Sequence, residues 1–472
     1  MQMYVAGEWR AGELEDPVTN PYSGEVVDTV PRASAADVEA ALATAVDGAA
    51  AMRKLSGYER HALLERAAAL TAGAAEEIAR TISAEEGKPL AEARGEAARI
   101  PDLIRLAAAE GARLHGETVP VDAAPNAADK LGFTLRRPCG VVVAVTPFNY
   151  PALLVAHKLY PALAAGNAVI LKPAVRTPLT ALRLTQLLLE AGVPANAVQC
   201  ITGSGAELGQ ALCSDERVRK ISFTGSSAVG RRIAAVAGVK KLSLELGASC
   251  PVVVLADADL EQTAAATATG GYVNAGQVCI SVQRVIVERR VYADFLDALV
   301  PRVEAIEVGD PFADGTELSA LISEREAERV EATIGAAVGA GARLLTGGGR
   351  TGAVVEPAVV ADVDPHDALS REELFGPAVA VTPAADVDEA IALANDGPYG
   401  LGAGIFTSNV TSALRFARDV DCGSIQINWT PLWRADLMPY GGLKASGIGK
   451  EGPRYAIEEM TELKTVVFHG VA

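Results

Sequence analysis

Three residue types that acyl-group redox chemistry requires stand in this chain in settings suited to them. Cys279 lies in NAGQVCIS (Asn274 to Ser281), a small-residue segment between a helical pattern and a strand pattern. Glu245 ends a strand-like run in LELGAS (Leu244 to Ser249), and Asn149 sits in the turn TPFNYP (Thr146 to Pro151) that follows VVVAV. A thiolate can attack a carbonyl carbon, an amide can hold the oxyanion that results, and a carboxylate can take a proton from the water that opens a thioester. Cys279, Asn149 and Glu245 would fill those roles in oxidising an aldehyde through a thiohemiacetal. A lone cysteine is more often a buried, inert hydrophobe, so the reading depends on the three together.

Two glycine-bearing segments could approach a phosphate. GSGAELG (Gly203 to Gly209) precedes a helical pattern but departs from the usual dinucleotide spacing, and an ordinary turn before a helix explains it as well. FTGSSAVG (Phe223 to Gly230) follows the strand-like KISFT and opens a helix, which puts Ser226 where an anion is favoured or where a simple N-cap would sit.

These residues need a frame. Ala-rich stretches at Ala33 to Arg53, Glu59 to Glu86 and Ala91 to His115 carry apolar residues at helical spacing, so the first third reads as mostly helical. Beyond it, VVVAV, AVILK, KISFT and PVVVL alternate with helical segments, as the βαβ units of a parallel sheet do. A second alternating set begins near VQRVIVE (Val282 to Glu288), which predicts a second α/β domain. At 472 residues the chain exceeds the size of one ordinary core.

Composition narrows the partners. A net charge of −17 with no basic run opposes binding to nucleic acid, and no apolar stretch reaches the roughly 18 residues of a membrane span. The opening MQMYVAGEWR lacks the order of a secretory signal, so a cytoplasmic location is expected. The six cysteines are scattered, with no zinc-like or redox-pair spacing, and the five histidines add no metal-ligand pattern. No metal is expected.

TPFNYP, LKPA (Leu171 to Ala174), FTGS, LELGAS, GQVC (Gly276 to Cys279), EELFGP (Glu372 to Pro377) and PYGGLKASGIG (Pro439 to Gly449) occur in one order from about residue 140 to 450. In this the chain resembles the aldehyde dehydrogenase superfamily. The resemblance implies an α/β fold: a Rossmann-like dinucleotide-binding domain (1–118 and 140–247), a catalytic domain (248–425), a small β oligomerisation extension (119–139 and 453–472), and a substrate-mouth loop (426–452) returning to the cofactor domain. It implies a homodimer or homotetramer, NAD or NADP as cofactor, and a small aldehyde as substrate. Cys279 would be the nucleophile, Asn149 with the Cys279 backbone N–H the oxyanion hole, and Glu245 the deacylating base. Lys172 would hold the adenine ribose, Gly225 and Ser226 the pyrophosphate, and Glu373 with Phe375 the nicotinamide ribose and ring. Thr146, Pro147, Phe148, Gly205, Phe223, Thr224, Val229, Leu246 and Gly247 would complete the cofactor contacts. Glu245 favours hydrolysis to the free acid over transfer to coenzyme A; a non-catalytic binding protein on the same fold is the other alternative.

Two positions depart from the family's common pattern. Many NAD-using relatives carry glutamate three residues after the LKP lysine, where this chain has Val175 followed by Arg176; losing the carboxylate beside a guanidinium should admit NADP. The substrate tunnel would be lined by Leu154, His157, Val278, Ile280 and Arg434, and His157 and Arg434 replace residues that are often aromatic. A buried guanidinium calls for an anion, which points to a phosphono-, phospho-, sulfo- or carboxy-aldehyde and to the phosphonoacetaldehyde, glyceraldehyde-3-phosphate and lactaldehyde branches. Val278 in place of an arginine makes a triose phosphate the poorer choice. The alternatives are that Arg434 pairs with Asp436 or another carboxylate and only shapes its loop, and that the substrate is a neutral aldehyde such as lactaldehyde.

Overall fold

Valine- and isoleucine-rich runs become parallel strands when helices cover both faces of the sheet they form. In a computed structural model describing residues 1–471, Val198–Cys200, Ala168–Lys172, Val141–Val145, Val218–Thr224 and Lys241–Glu245 lie in that spatial order, every neighbouring pair parallel. The direction of winding reverses between Val141–Val145 and Val218–Thr224. A doubly wound sheet opens a crevice at the carboxyl ends of its strands at such a reversal. Thr146 to Asn149 leave one of these strand ends and Gly225 and Ser226 the other, so the topology alone brings the two motifs together.

The sheet is widened at its edges by short antiparallel strands, Met3–Val5 with Glu8–Arg10 on one side and Gly447–Ile448 on the other. Here the structure departs from a mostly helical first third. Residues up to Pro31 form four strands, Glu15–Thr19 and Val26–Pro31 being the other pair. Each is three to six residues long, too short to impose a readable alternation. The helices then follow as Ala35–Lys54, Gly57–Gly73, Ala75–Glu86 and Leu90–Ala112. Ser34 and Ser56 each open theirs with a capping box, and the stretch from Glu59 to Glu86 is broken at Ala74.

A second sheet runs Arg343–Thr346, Ala358–Ala361, Ala378–Ala384, Val282–Glu288, Cys250–Val254, Gly402–Phe406 and Ser424–Ile427, parallel except at the first pair. PVVVL therefore opens this sheet rather than continuing the first, because the chain crosses between them within Leu246 to Ser249. Glu245 is the last strand residue of one sheet and Cys250 the first of the next. Cys279 precedes Val282–Glu288, so acid and thiol flank the same crossing. A three-stranded sheet joins Thr461–His469, Lys130–Pro138 and Thr118–Val119. Ala472, the last residue assigned to the extension, lies outside the described residues. Among those described, no helix is long and apolar enough to cross a membrane.

Candidate active site

A cavity of about 700 Å³ opens at the reversal point and runs to Cys279. Its walls take in Thr146, Pro147, Phe148, Asn149, Leu154, Gly205, Phe223, Thr224, Gly225, Ser226, Val229, Glu245, Leu246, Cys279, Glu373 and Phe375. Motifs more than two hundred residues apart in sequence thus share one space.

The thiol is placed by an unusual turn. Asn274, Ala275 and Gly276 are successive left-handed residues at φ 51°, 52° and 73°. At Gly276 a β-carbon would run into the Gly376 carbonyl, so only glycine lets the GQVC turn seat against EELFGP. Asn274 is held in this conformation by donating to Glu86 at 2.7 Å and to the Asn149 carbonyl at 3.0 Å. That carbonyl also accepts from Lys88 at 2.8 Å, and Lys88 in turn pairs with Glu96 at 2.6 Å and Glu86 at 3.1 Å. Glu96 accepts the backbone N–H groups of Ala152 and Leu153 at 2.9 and 3.0 Å. The TPFNYP turn is therefore pinned from below by a buried ion cluster that sequence reading passed over. Asn149 spends one amide proton on the Gln277 carbonyl at 2.7 Å and keeps the other for the cavity.

Electrostatics at the thiol end are set by burial. Desolvation pushes the Cys279 thiol up to about 12, opposed by a hydroxyl contact from Tyr440 at 2.9 Å. Glu245 is buried, neither oxygen has a hydrogen-bond partner among the described residues, and burial together with the nearby Glu451 carboxylate raises it well above the usual carboxyl range. Gly441 of PYGGLK abuts it: a β-carbon there would lie 2.7 Å from a Glu245 oxygen. Against the cost of burial, Lys158 at 2.7 Å and Arg434 at 3.3 Å hold Glu451 down to about 2. Of these two coupled acids, Glu451 carries the charge and Glu245 the proton.

The predicted substrate residues cluster behind the thiol. Val278 and Ile280 pack with Ala248, Cys250, Leu401 and Tyr440 around Cys279. Arg434 is not paired with Asp436; it reaches Glu451 instead, and its guanidinium lies 3.8 Å over the Tyr440 ring. Asp436 is taken by Arg99 at 2.6 Å and by His157 at 3.2 Å. Desolvation and the neighbouring Arg434 bring His157 down to about 4. It is therefore neutral at pH 7, its Nε2–H donating to Asp436 and its Nδ1 turned towards Arg434 at 3.4 Å.

Away from the thiol the cavity suits a ribose-bearing anion. Lys172 is buried, donates only to its neighbour's carbonyl on Pro173 at 2.6 Å, and is lowered by desolvation to about 8. A buried amine so poorly paired favours a ligand carrying hydroxyls or negative charge. Gly205, where a β-carbon would sit 4.0 Å from the Lys172 amine, starts a helix with no side-chain cap, and Ser226 caps the helix Ser227–Val236 through Val229 N–H. Glu373, raised by burial to about 7, accepts Ala248 N–H at 3.0 Å, and Gly247 N–H donates to Ser227 at 3.2 Å. Phe375 meets Phe148 edge-on at 5.8 Å. Of the predicted cofactor residues, Lys172 and Gly247 sit behind the cavity wall, against Gly205 and Glu373, while Val175 is exposed and Arg176 lines a neighbouring groove with Arg325 and Gln277. Arg232 and Gln210, unread in the sequence, stand in the cavity wall instead.

Residues 9–466 match the model of the aldehyde dehydrogenase family. The chain is 44% identical over 467 residues to a 3-sulfolactaldehyde dehydrogenase of Priestia aryabhattai, covering 99% of this chain and 98% of that one. It superposes with TM-score 0.97 and 38% identity on aldehyde dehydrogenase 21 of Physcomitrella patens in complex with the reaction product succinate, over 100% of this chain and 98% of the other. Against glyceraldehyde-3-phosphate dehydrogenase of Methanocaldococcus jannaschii complexed with NADP, the TM-score is 0.93 at 37% identity, over 97% and 100% of the two chains. Fold, motif order and near-complete overlap agree, and the chain belongs to the aldehyde dehydrogenase family, enzymes that oxidise aldehydes with NAD or NADP.

Proposed function

We propose that the substrate is a small aldehyde bearing a phosphonate, phosphate, sulfonate or carboxylate, oxidised to the carboxylic acid, and that NADP is preferred. The charge balance behind Cys279 carries the reading. Glu451 is shared by two cations, Lys158 and Arg434, while Glu245 holds a proton and His157 is neutral. Asp436 is balanced by Arg99. Positive charge is left in excess, with Lys450 near Glu245 adding to it, and the buried Arg434 Nε has no hydrogen-bond partner among the described residues. An anionic group on the substrate would neutralise it. The 3-sulfolactaldehyde in the Priestia relative's name is an aldehyde of this class.

In this reading the Cys279 thiolate attacks the aldehyde carbon, and the oxyanion is held by the free Asn149 amide proton and the Cys279 backbone N–H. Lys172, Gly225, Ser226 and Glu373 would hold the cofactor, which when bound would supply the hydride acceptor. Glu245, once deprotonated, takes a proton from the water that opens the thioester, and the positive groups around Glu451 ease that deprotonation. Absence of a carboxylate at Val175 and a guanidinium at Arg232 support NADP. The exposed Leu131, Leu135, Leu463 and Phe468 on the three-stranded sheet support its use between subunits of a dimer or tetramer.

A neutral aldehyde is the second reading, favoured because Glu451 already gives Arg434 an ionic partner. Absorbance at 340 nm with NAD and NADP, across neutral aldehydes and phosphono-, sulfo- and carboxy-aldehydes of matched length, separates the two. Faster turnover of the anionic set with NADP is expected; preference for neutral aldehydes with NAD would reject the proposal.

A further inference from the structure

We infer that the Tyr440 hydroxyl is the donor that holds the Cys279 thiolate, with Arg434 lying on the phenol ring to strengthen that donor. The inference rests on Cys279 being the nucleophile.

Tyr440 is buried, and its hydroxyl has one hydrogen-bond partner among the described residues, the Cys279 sulfur at 2.9 Å. A buried tyrosine hydroxyl is ordinarily satisfied by a partner of its own; here that partner is the reacting atom. While sulfur carries its proton either group can donate, but once the proton leaves only the tyrosine can. Burial raises the Tyr440 hydroxyl well above its usual value, which favours its keeping the proton that it donates. A hydrogen bond to an anion is stronger than one to a neutral group, so the contact favours the thiolate over the thiol.

Arg434 adds to this. Its guanidinium carbon is 3.8 Å from the ring centroid, where a cation attracts the π electrons and makes the hydroxyl hydrogen more positive. The two residues are fixed as a unit, since Glu451 pairs with Arg434 through its side chain and accepts the Tyr440 N–H at 3.1 Å through its backbone. The other titratable groups facing the sulfur are Glu373, Glu245 and Cys250, whose own sulfur lies 3.6 Å from the Cys279 carbonyl. Glu373 and, when ionised, Glu245 disfavour a second negative charge, and the buried Cys250 thiol supplies no positive one. Tyr440 and Arg434 are the neighbours that act the other way.

The test is the pH profile of Cys279 alkylation by iodoacetamide in the full-length enzyme, mapped by mass spectrometry, in the wild type and in Tyr440→Phe, which keeps the ring beneath Arg434. The midpoint should rise by about one pH unit or more, so that below it the variant labels about tenfold more slowly. Superimposed profiles, or a midpoint that falls, would overturn the inference. Replacing all ten tyrosines by 3-fluorotyrosine tests the same contact without relying on the variant's folding; the stronger donor should lower the midpoint, and an unmoved midpoint counts against the role. Complete labelling of Cys279 with undiminished production of reduced cofactor would instead reject Cys279 as nucleophile.

Discussion

Lys88→Met tests whether the buried ion cluster under the TPFNYP turn positions Asn149 for chemistry. The substitution keeps most of the side-chain volume and deletes the charge. Lys88 makes ion pairs of 2.6 Å to Glu96 and 3.1 Å to Glu86, donates to the Asn149 carbonyl at 2.8 Å, and lies 3.9 Å over the Tyr150 ring. Removing one partner from a fully buried ion pair costs about 3–5 kcal/mol, because the remaining charge stays buried. The loss should depend on pH. Burial already raises Glu86 to about 8 and Glu92 to about 7, and Lys88 is the cation that opposes both shifts. Without it their folded pKa values rise further above the unfolded value near 4.3. A carboxyl raised on folding contributes fully below its unfolded pKa and loses that contribution as pH climbs through the folded one, at about 1.4 kcal/mol per unit for each extra proton bound. This pH-dependent part of the deficit should be small near pH 5 and grow through pH 7 to 9. With the Asn149 carbonyl left to Asn274 alone, the amide should drift, and a displacement near 1 Å costs about a hundredfold in kcat. Urea-unfolding midpoints and kcat at pH 6 and 8.5 would measure both effects. A variant within about 1 kcal/mol of wild type at pH 8.5, with kcat unchanged, would refute the reasoning.

Glu245→Gln should leave the first turnover of reduced cofactor intact and stall thereafter, lowering steady-state kcat by about 10²–10⁴, and quenched-flow amplitudes would show the burst. Because burial and Glu451 raise the Glu245 pKa and the base must be ionised, wild-type kcat should climb with pH beyond the ordinary carboxylate range, and that rise should vanish in the variant; steady-state profiles from pH 5 to 9 check it. Val175→Glu should move the ratio of kcat/KM for NADP over NAD towards NAD by about tenfold or more, and an unmoved ratio would remove this position from cofactor choice. Arg434→Gln should raise KM for anionic aldehydes by about tenfold while leaving neutral ones within about twofold, whereas an equal rise for both would mean that the guanidinium only shapes the loop.

The fold's central feature was legible because it is periodic and local. VVVAV, AVILK and KISFT read as buried parallel strands from their own residues, and the glycine and serine of FTGS read as a helix start, which they are. The four short strands before Pro31 were not, since three to six residues carry too little alternation to read, and Met3–Val5 joins the large sheet only through a partner distant in sequence, Tyr4 pairing with Cys200. The residue pattern alone did not mark Leu246 to Ser249 as a crossing between sheets, because PVVVL looks alike in either; only the motif resemblance put a boundary there. The same limit governs the site. Motifs located sixteen of the cavity residues, but none of them gives the state of His157, which burial and then Arg434, 277 positions away, keep neutral at pH 7. Arg434 was read as meeting either an anionic substrate or Asp436 or another carboxylate; its carboxylate partner is Glu451, which spacing could not single out because it sits across the loop on Tyr440 backbone bonds. Lys88, Glu86 and Glu96 belong to no motif; tertiary burial makes them the support of the Asn149 turn. Residue type announces what a group can do, whereas its charge state is fixed by partners brought together only on folding.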